Sequence, residues 1–151
     1  MMKRVYKVRY SKSSLELNED YDNLSDFEKE QISELDAEGF FDYEDNSIYC
    51  CYVISTPVEV VKYSKILTNN LIQHEYLDLS QEILNNKIDI ESDLEDKLDE
   101  KNLFKYDFFL DDLEHWIYNN LEIDIVLDRI TDVGINSLRQ VEKDFLKHYS
   151  I

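Results

Sequence analysis

Glycine and proline are almost missing from this chain: two glycines and one proline in 151 residues. That excludes collagen-like repeats, Gly/Ser linkers and Pro-rich low complexity. Cysteine is scarce as well. Cys50 and Cys51 are adjacent in an apolar run, and strand neighbours point to opposite faces, so they are poorly placed to bond each other. They read as two small buried hydrophobes. No apolar run reaches the ~18 residues a membrane-spanning helix needs. The basic stretch at residues 1–10 is not followed by the apolar core of a secretory signal. A soluble cytoplasmic protein is the expectation. Positive charge is short, with 16 Lys and Arg against 34 Asp and Glu, a net −18. Such a balance argues against direct nucleic-acid binding, which needs a basic footprint, and against anionic membranes. What the chain does have is 43% hydrophobic and 13% aromatic residues, enough to fold despite the charge. Its length suits one domain, with an α+β region at 1–88 and a helical region at 89–151.

The charge is unevenly placed. Residues 1–12 carry five bases and no acid, residues 13–45 thirteen acids and one base, and residues 89–124 thirteen acids and three bases. The stretch 46–88 carries four acids and three bases, and 125–151 carries four of each. Two acidic blocks therefore flank a nearly neutral centre.

Hydrophobic periodicity gives the elements. Residues 5–10 alternate, with Tyr6, Val8 and Tyr10 on one face and Lys7 and Arg9 on the other, as in a half-solvated strand. The polar stretch 11–23 reads as a loop. Ser25-Asp26-Phe27-Glu28 is a capping box opening a helix, and Gly39 stands where a helix C-terminus would want it. Residues 40–43 and 48–55 flank Glu44-Asp45-Asn46-Ser47, a hairpin with a four-residue turn. The run 48–54 is apolar throughout and predicts a central strand covered on both faces. Thr56-Pro57-Val58-Glu59 is the sharpest signal, with Thr at N-cap, Pro at N1 and Glu at N3. The helix it starts runs to about residue 69, and a strand follows at 71–79. Strand, helix, strand predicts a right-handed βαβ unit with parallel strands. Ser80 caps a short helix over 81–86, and Ser92-Asp93-Leu94-Glu95 is a second capping box. Residues 106–121 form an amphipathic helix with Phe109, Leu113, Trp116, Ile117 and Leu121 inward. Residues 123–151 form a helical hairpin turning at Gly134, with Ser137 capping its last helix. The fold class is therefore α+β: a small mixed sheet of three or four strands with packed helices, then a helical C-terminal half ending in a helical hairpin.

The tail, carried by Leu127, Asp128, Ile130, Gly134, Ser137, Leu138, Glu142, Lys143, Phe145 and Leu146, resembles a short helical-hairpin module at the C-termini of assorted uncharacterised Bacteroidetes proteins. Arg129 stands where Lys is usual. The resemblance covers about a sixth of the chain. It implies a bacterial origin and an interaction role, and it carries no catalytic residue.

No motif points to catalysis. There is no Gly-rich phosphate loop, no Gly-x-Ser-x-Gly and no His-Glu-x-x-His. Asp111 and His115 at i, i+4 have metal-ligand spacing, but no second His-containing pair completes a site. Asp89, Glu91, Asp93 and Glu95 alternate as in a calcium loop, without its central Gly. His74 and His148 are lone. The expectation is a non-enzyme with no cofactor and no metal.

The acidic blocks carry the functional reading. Tyr21, Phe27, Phe40, Phe41 and Tyr43 are interleaved with the first, and Leu94, Leu98, Phe104, Tyr106, Phe108 and Phe109 with the second. Acids around aromatic anchors suit a basic protein partner: the rings supply buried area, and the charges supply encounter rate and selectivity. The reading is an inhibitor of a basic, nucleic-acid-processing protein such as a nuclease or toxin, acting as an immunity protein or DNA mimic. The candidate contact residues are Asp42, Glu44 and Asp45 in the hairpin and Asp107, Asp111, Asp112 and Glu114 on the long helix. The alternative is an adaptor or structural domain whose acidity only serves solubility. If both blocks fold onto one face, the inhibitor reading gains; if they lie on opposite faces, the adaptor gains.

Overall fold

The computed structural model describes residues 2–98, 100 and 102–149. The fold is α+β. Strands β1 (Arg4–Tyr10), β2 (Ala37–Asp45), β3 (Ile48–Ser55) and β4 (His74–Asp78) form one sheet in the order β2-β3-β1-β4. Every neighbouring pair is antiparallel. β3 and β4 run in the same direction, as a strand–helix–strand unit requires, but β1 lies between them. The two strands expected to pair are thus joined only through β1.

The strong start signals give the elements they predict. Thr56 accepts from the Glu59 N–H at 3.2 Å and opens α3 (Pro57–Asn69), a cap worth ~1 kcal/mol. Ser25 and Glu28 form the full capping box of α2 (Asp26–Ser33). The residues read as loop hold a helix instead, α1 (Ser14–Asp22), capped by Ser13 onto the Glu16 N–H. Its buried Leu17 packs with Val8, Tyr10 and Cys51. Gly39 ends no helix. It lies in β2, at an irregularity in the β2–β3 register, where a Cβ would sit 3.2 Å from Asp112 Cβ and 3.3 Å from Ile54 Cδ1. The β2–β3 hairpin turns on two residues rather than four. Asn46 and Ser47, at φ 53° and 67°, are the positive-φ pair of a type I′ turn.

Helices cover both faces of the sheet. On one side α1, α3 and the connection after α3 bring Leu17, Leu67 and Ile72 against Val8, Tyr10 and Cys51. α2 lies on this side too, tied by the Asn70 amide donating to Glu28 at 2.7 Å. On the other side lie α4 (Ser80–Leu84), α5 (Ile90–Leu94), α6 (Leu103–Asn120), α7 (Ile123–Val133) and α8 (Gln140–Tyr149), packed with Val5, Phe41, Tyr43, Cys50, Tyr52 and Ile54. β3 is therefore covered on both faces, and its two free cysteines point into different layers. Burial pushes the Cys51 thiol up to about 12.

α6 binds the sheet through an aromatic seam. Phe41 meets Tyr106 edge-on at 5.6 Å, Tyr43 stacks on Tyr52 at 5.7 Å, and Tyr52 on Phe109 at 6.2 Å. Trp116 Nε1 donates to the Lys3 carbonyl at 2.7 Å. Such pairs add about 0.5–1.5 kcal/mol each beyond buried area.

The short helices start differently from the sequence reading. Ser80 sits inside the first turn of α4, where its buried hydroxyl accepts from the Val5 N–H at 2.9 Å and so ends the β1 ladder. α5 is capped by Asp89, whose carboxylate takes both the Ser92 N–H and hydroxyl. In the tail, Gly134 turns the hairpin at φ 81°, but Ser137 lies in a 3₁₀ turn. The cap is made instead by Glu142, which accepts from the Arg139 N–H at 3.0 Å. Glu142 is fully buried and also accepts from Arg129 Nε at 2.6 Å and Arg139 Nε at 2.9 Å. The same guanidiniums donate to the Ile83, Leu84 and Asn85 carbonyls at the end of α4. The C-terminal end of a helix carries partial negative charge, so two cations there fasten the hairpin to α4.

Candidate docking face on α6

The outward side of α6 follows from its inward side. Tyr106, Phe109, Leu113, Trp116 and Ile117 are buried, so the 3.6-residue period turns Phe104, Phe108, Asp111 and His115 to solvent along one stripe. Phe104 and Phe108 are 73% and 59% exposed. Their rings meet edge-on, centroids 4.7 Å apart and planes at 80°. Asp107 and Glu114, both exposed, lie along one flank. Asp112 lies on the other flank, against Gly39. His115 Nδ1 donates to the Asp111 carbonyl at 3.0 Å and lies 3.7 Å from its carboxylate. That backbone bond engages the ring nitrogen facing Asp111. Among the described residues no group of three or more His, Cys, Asp or Glu side chains is placed to hold a metal.

The seven candidate carboxylates do not form one patch. Asp107, Asp111 and Glu114 share the open side of α6, and Asp112 borders it. Asp45 points toward the α6 layer but is bound to Lys97 at 3.3 Å. Asp42 and Glu44 alternate onto the opposite face of β2, toward α1. There Glu44 accepts from the Ser14 N–H at 2.7 Å and supports the start of α1. The two acidic blocks separate in the same way: α1 and α2 carry most of the first on one side of the sheet, and α5, the turn after it at Glu95–Lys97 and α6 carry most of the second on the other. The large apolar residues interleaved with them divide by burial. Phe41, Tyr43, Leu94, Tyr106 and Phe109 are core, whereas Phe27, Phe40, Phe104 and Phe108 are exposed.

Two polar clusters escaped sequence reading. Ser64 on α3 and His74 on β4 are 2.7 Å apart, with His74 Nδ1 2.9 Å from the Ile72 carbonyl. The carbonyl can only accept, so Nδ1 donates to it, and Nε2 shares a hydrogen bond with the Ser64 hydroxyl. Tyr10, Tyr63 and Tyr21 join their hydroxyls in a chain under α3. Burial raises Tyr10 well above its ordinary value and Tyr63 to about 12. Neither cluster has a local sequence pattern, because tertiary packing brings its members together.

No helix among the described residues is long and apolar enough to cross a membrane. The chain matches no known protein family, no curated protein and no solved structure.

Proposed function

We propose that the chain is a non-catalytic binding protein that receives a basic protein surface on the outward face of α6 and thereby inhibits a nucleic-acid-processing partner, in the manner of an immunity protein. The exposed edge-on pair Phe104–Phe108, bordered by Asp107, Asp111, Asp112 and Glu114, carries this reading. Two large exposed rings on a rigid helix supply contact area at little entropic cost, and the flanking carboxylates steer and select Lys and Arg. A DNA-mimic mode fits less well, since a duplex-like row of charge needs both acidic blocks on one side. Their separation also supports a second reading, an adaptor domain whose acidity maintains solubility.

Affinity capture from the native host at low and high salt, with mass spectrometry, tests the proposal when paired with F104S/F108S. The expected result is one high-pI partner, lost at high salt and lost with the double variant. Both proteins should still retain polylysine, which reads charge alone. Failure to enrich a basic partner, or equal capture by both proteins, overturns the proposal and leaves the adaptor.

A further inference from the structure

We propose a second binding site, for a free apolar α-amino acid, in the cleft at the end of the sheet where α3 passes into β4. The cleft measures about 810 Å³, within the range of small-molecule sites, and Arg9, Ile48, Leu71, Ile72, His74 and Glu75 contribute to its walls. No residue of α6 lines it, so it is separate from the docking face.

Three observations converge there. First, Arg9 and Glu75 stand directly opposite each other on β1 and β4, yet neither makes an ion pair among the described residues. The other three arginines, Arg4, Arg129 and Arg139, are all bound to carboxylates. One guanidinium and one carboxylate thus stand on facing residues, without an ion pair, at the mouth of an apolar hollow. Second, Leu71 takes a backbone conformation that favours glycine. It is the C′ residue of α3, where the Ile72 N–H bonds the Leu67 carbonyl at 2.9 Å and the Leu71 N–H bonds Thr68 at 3.1 Å, a closure that asks for positive φ. Leu71 adopts φ 59° and leaves its side chain 87% exposed. Glycine would make the same closure without strain, so a leucine here, its side chain exposed at the cleft rim, is kept at a cost to the fold. Third, His74 is locked by its bonds to Ile72 and Ser64, which gives the cleft a rigid wall beside Tyr10.

A zwitterion with an apolar side chain matches all three. Its carboxylate fits the two-pronged guanidinium of Arg9, its ammonium fits Glu75, and its side chain covers Ile48 and Leu71. A simple anion would meet Glu75, and a simple cation would meet Arg9.

The test is an NMR titration of the whole chain with L-phenylalanine, phenylacetate and phenethylamine. L-Phenylalanine should saturate, moving the Leu71 and His74 amides, and bind at least tenfold tighter than either half-ligand. R9Q should reduce it to the level of phenethylamine, and E75Q to that of phenylacetate. L71G should weaken binding while raising the melting temperature, which separates lost function from lost folding. No saturable binding of L-phenylalanine at millimolar concentration, equal binding of all three compounds, or unchanged affinity in R9Q and E75Q overturns the proposal.

Discussion

Glu142→Ala removes the single carboxylate from between two guanidiniums. Glu142 has no solvent access, while Arg129 and Arg139 keep 13% and 20% side-chain exposure. Breaking a buried ion pair from one side costs about 3–5 kcal/mol, because the remaining charge stays desolvated without a partner. Here water still reaches both arginines, so the lower end applies, ~3 kcal/mol. For a chain of this length that lowers the melting temperature by roughly 6–12 °C. Glu142→Gln keeps an oxygen for the Arg139 N–H and should lose about half as much. Replacing all three residues by apolar ones should not rescue the protein, unlike an isolated ion triad, because the Ile83, Leu84 and Asn85 carbonyls then lose their donors. Acid has the same target. Burial alone would raise the Glu142 carboxyl, but the hydrogen bonds from Arg129 and Arg139 outweigh it and hold the group below its ordinary value. Its contribution is therefore complete above the unfolded carboxylate value of ~4.3 and is lost as the pH falls through the lower folded value. Urea melts followed by circular dichroism at pH 7 and pH 3 measure both effects. A loss below ~1 kcal/mol for Glu142→Ala at pH 7 refutes the reasoning.

Ser47→Gly should stabilise the β2–β3 hairpin by about 0.5–1 kcal/mol, since Asn-Gly is the preferred type I′ pair and Ser47 holds φ 67°; thermal denaturation reads it. Gly39→Ala should destabilise by about 1–3 kcal/mol, because the added methyl meets Asp112 and Ile54 at 3.2–3.3 Å; an unchanged melt would mean that α6 yields easily. Cys50 and Cys51 are buried with raised thiols, so iodoacetamide at pH 8 should leave the native protein unlabelled by mass and modify both residues in urea.

Elements with a local stop or start were legible in the sequence. Thr56-Pro57 placed α3, the Ser25 box placed α2, and the helical spacing of Phe109, Leu113 and Trp116 placed α6. α1 went unread because its 14–22 stretch is mostly polar; the Ser13-x-x-Glu16 spacing and the Leu17–Tyr21 pair were the signals it offered. Gly39 gives a false signal because a glycine required by a helix crossing from far along the chain looks, locally, like a helix end. The place of β1 between β3 and β4 has no local signature at all. It nevertheless decides which helices cover which face, and so why Asp42 and Glu44 lie away from Asp107, Asp111 and Glu114. The Glu142 cluster and the Ser64–His74 pair were hidden for the same reason.

The central position of β1 also sets an order of assembly. β1 gains its β3 neighbour before its β4 neighbour as the chain lengthens, and the sheet is complete only when residue 78 has been made. At that stage α1, α2 and α3 can close one side, while Phe41, Tyr43 and Tyr52 on the other still await α6. A nascent chain therefore passes through a half-clothed stage with a naked aromatic surface, the kind of species that aggregates. The thirteen acids of residues 13–45 are already present by then. Like charge of that size opposes contact between two such chains.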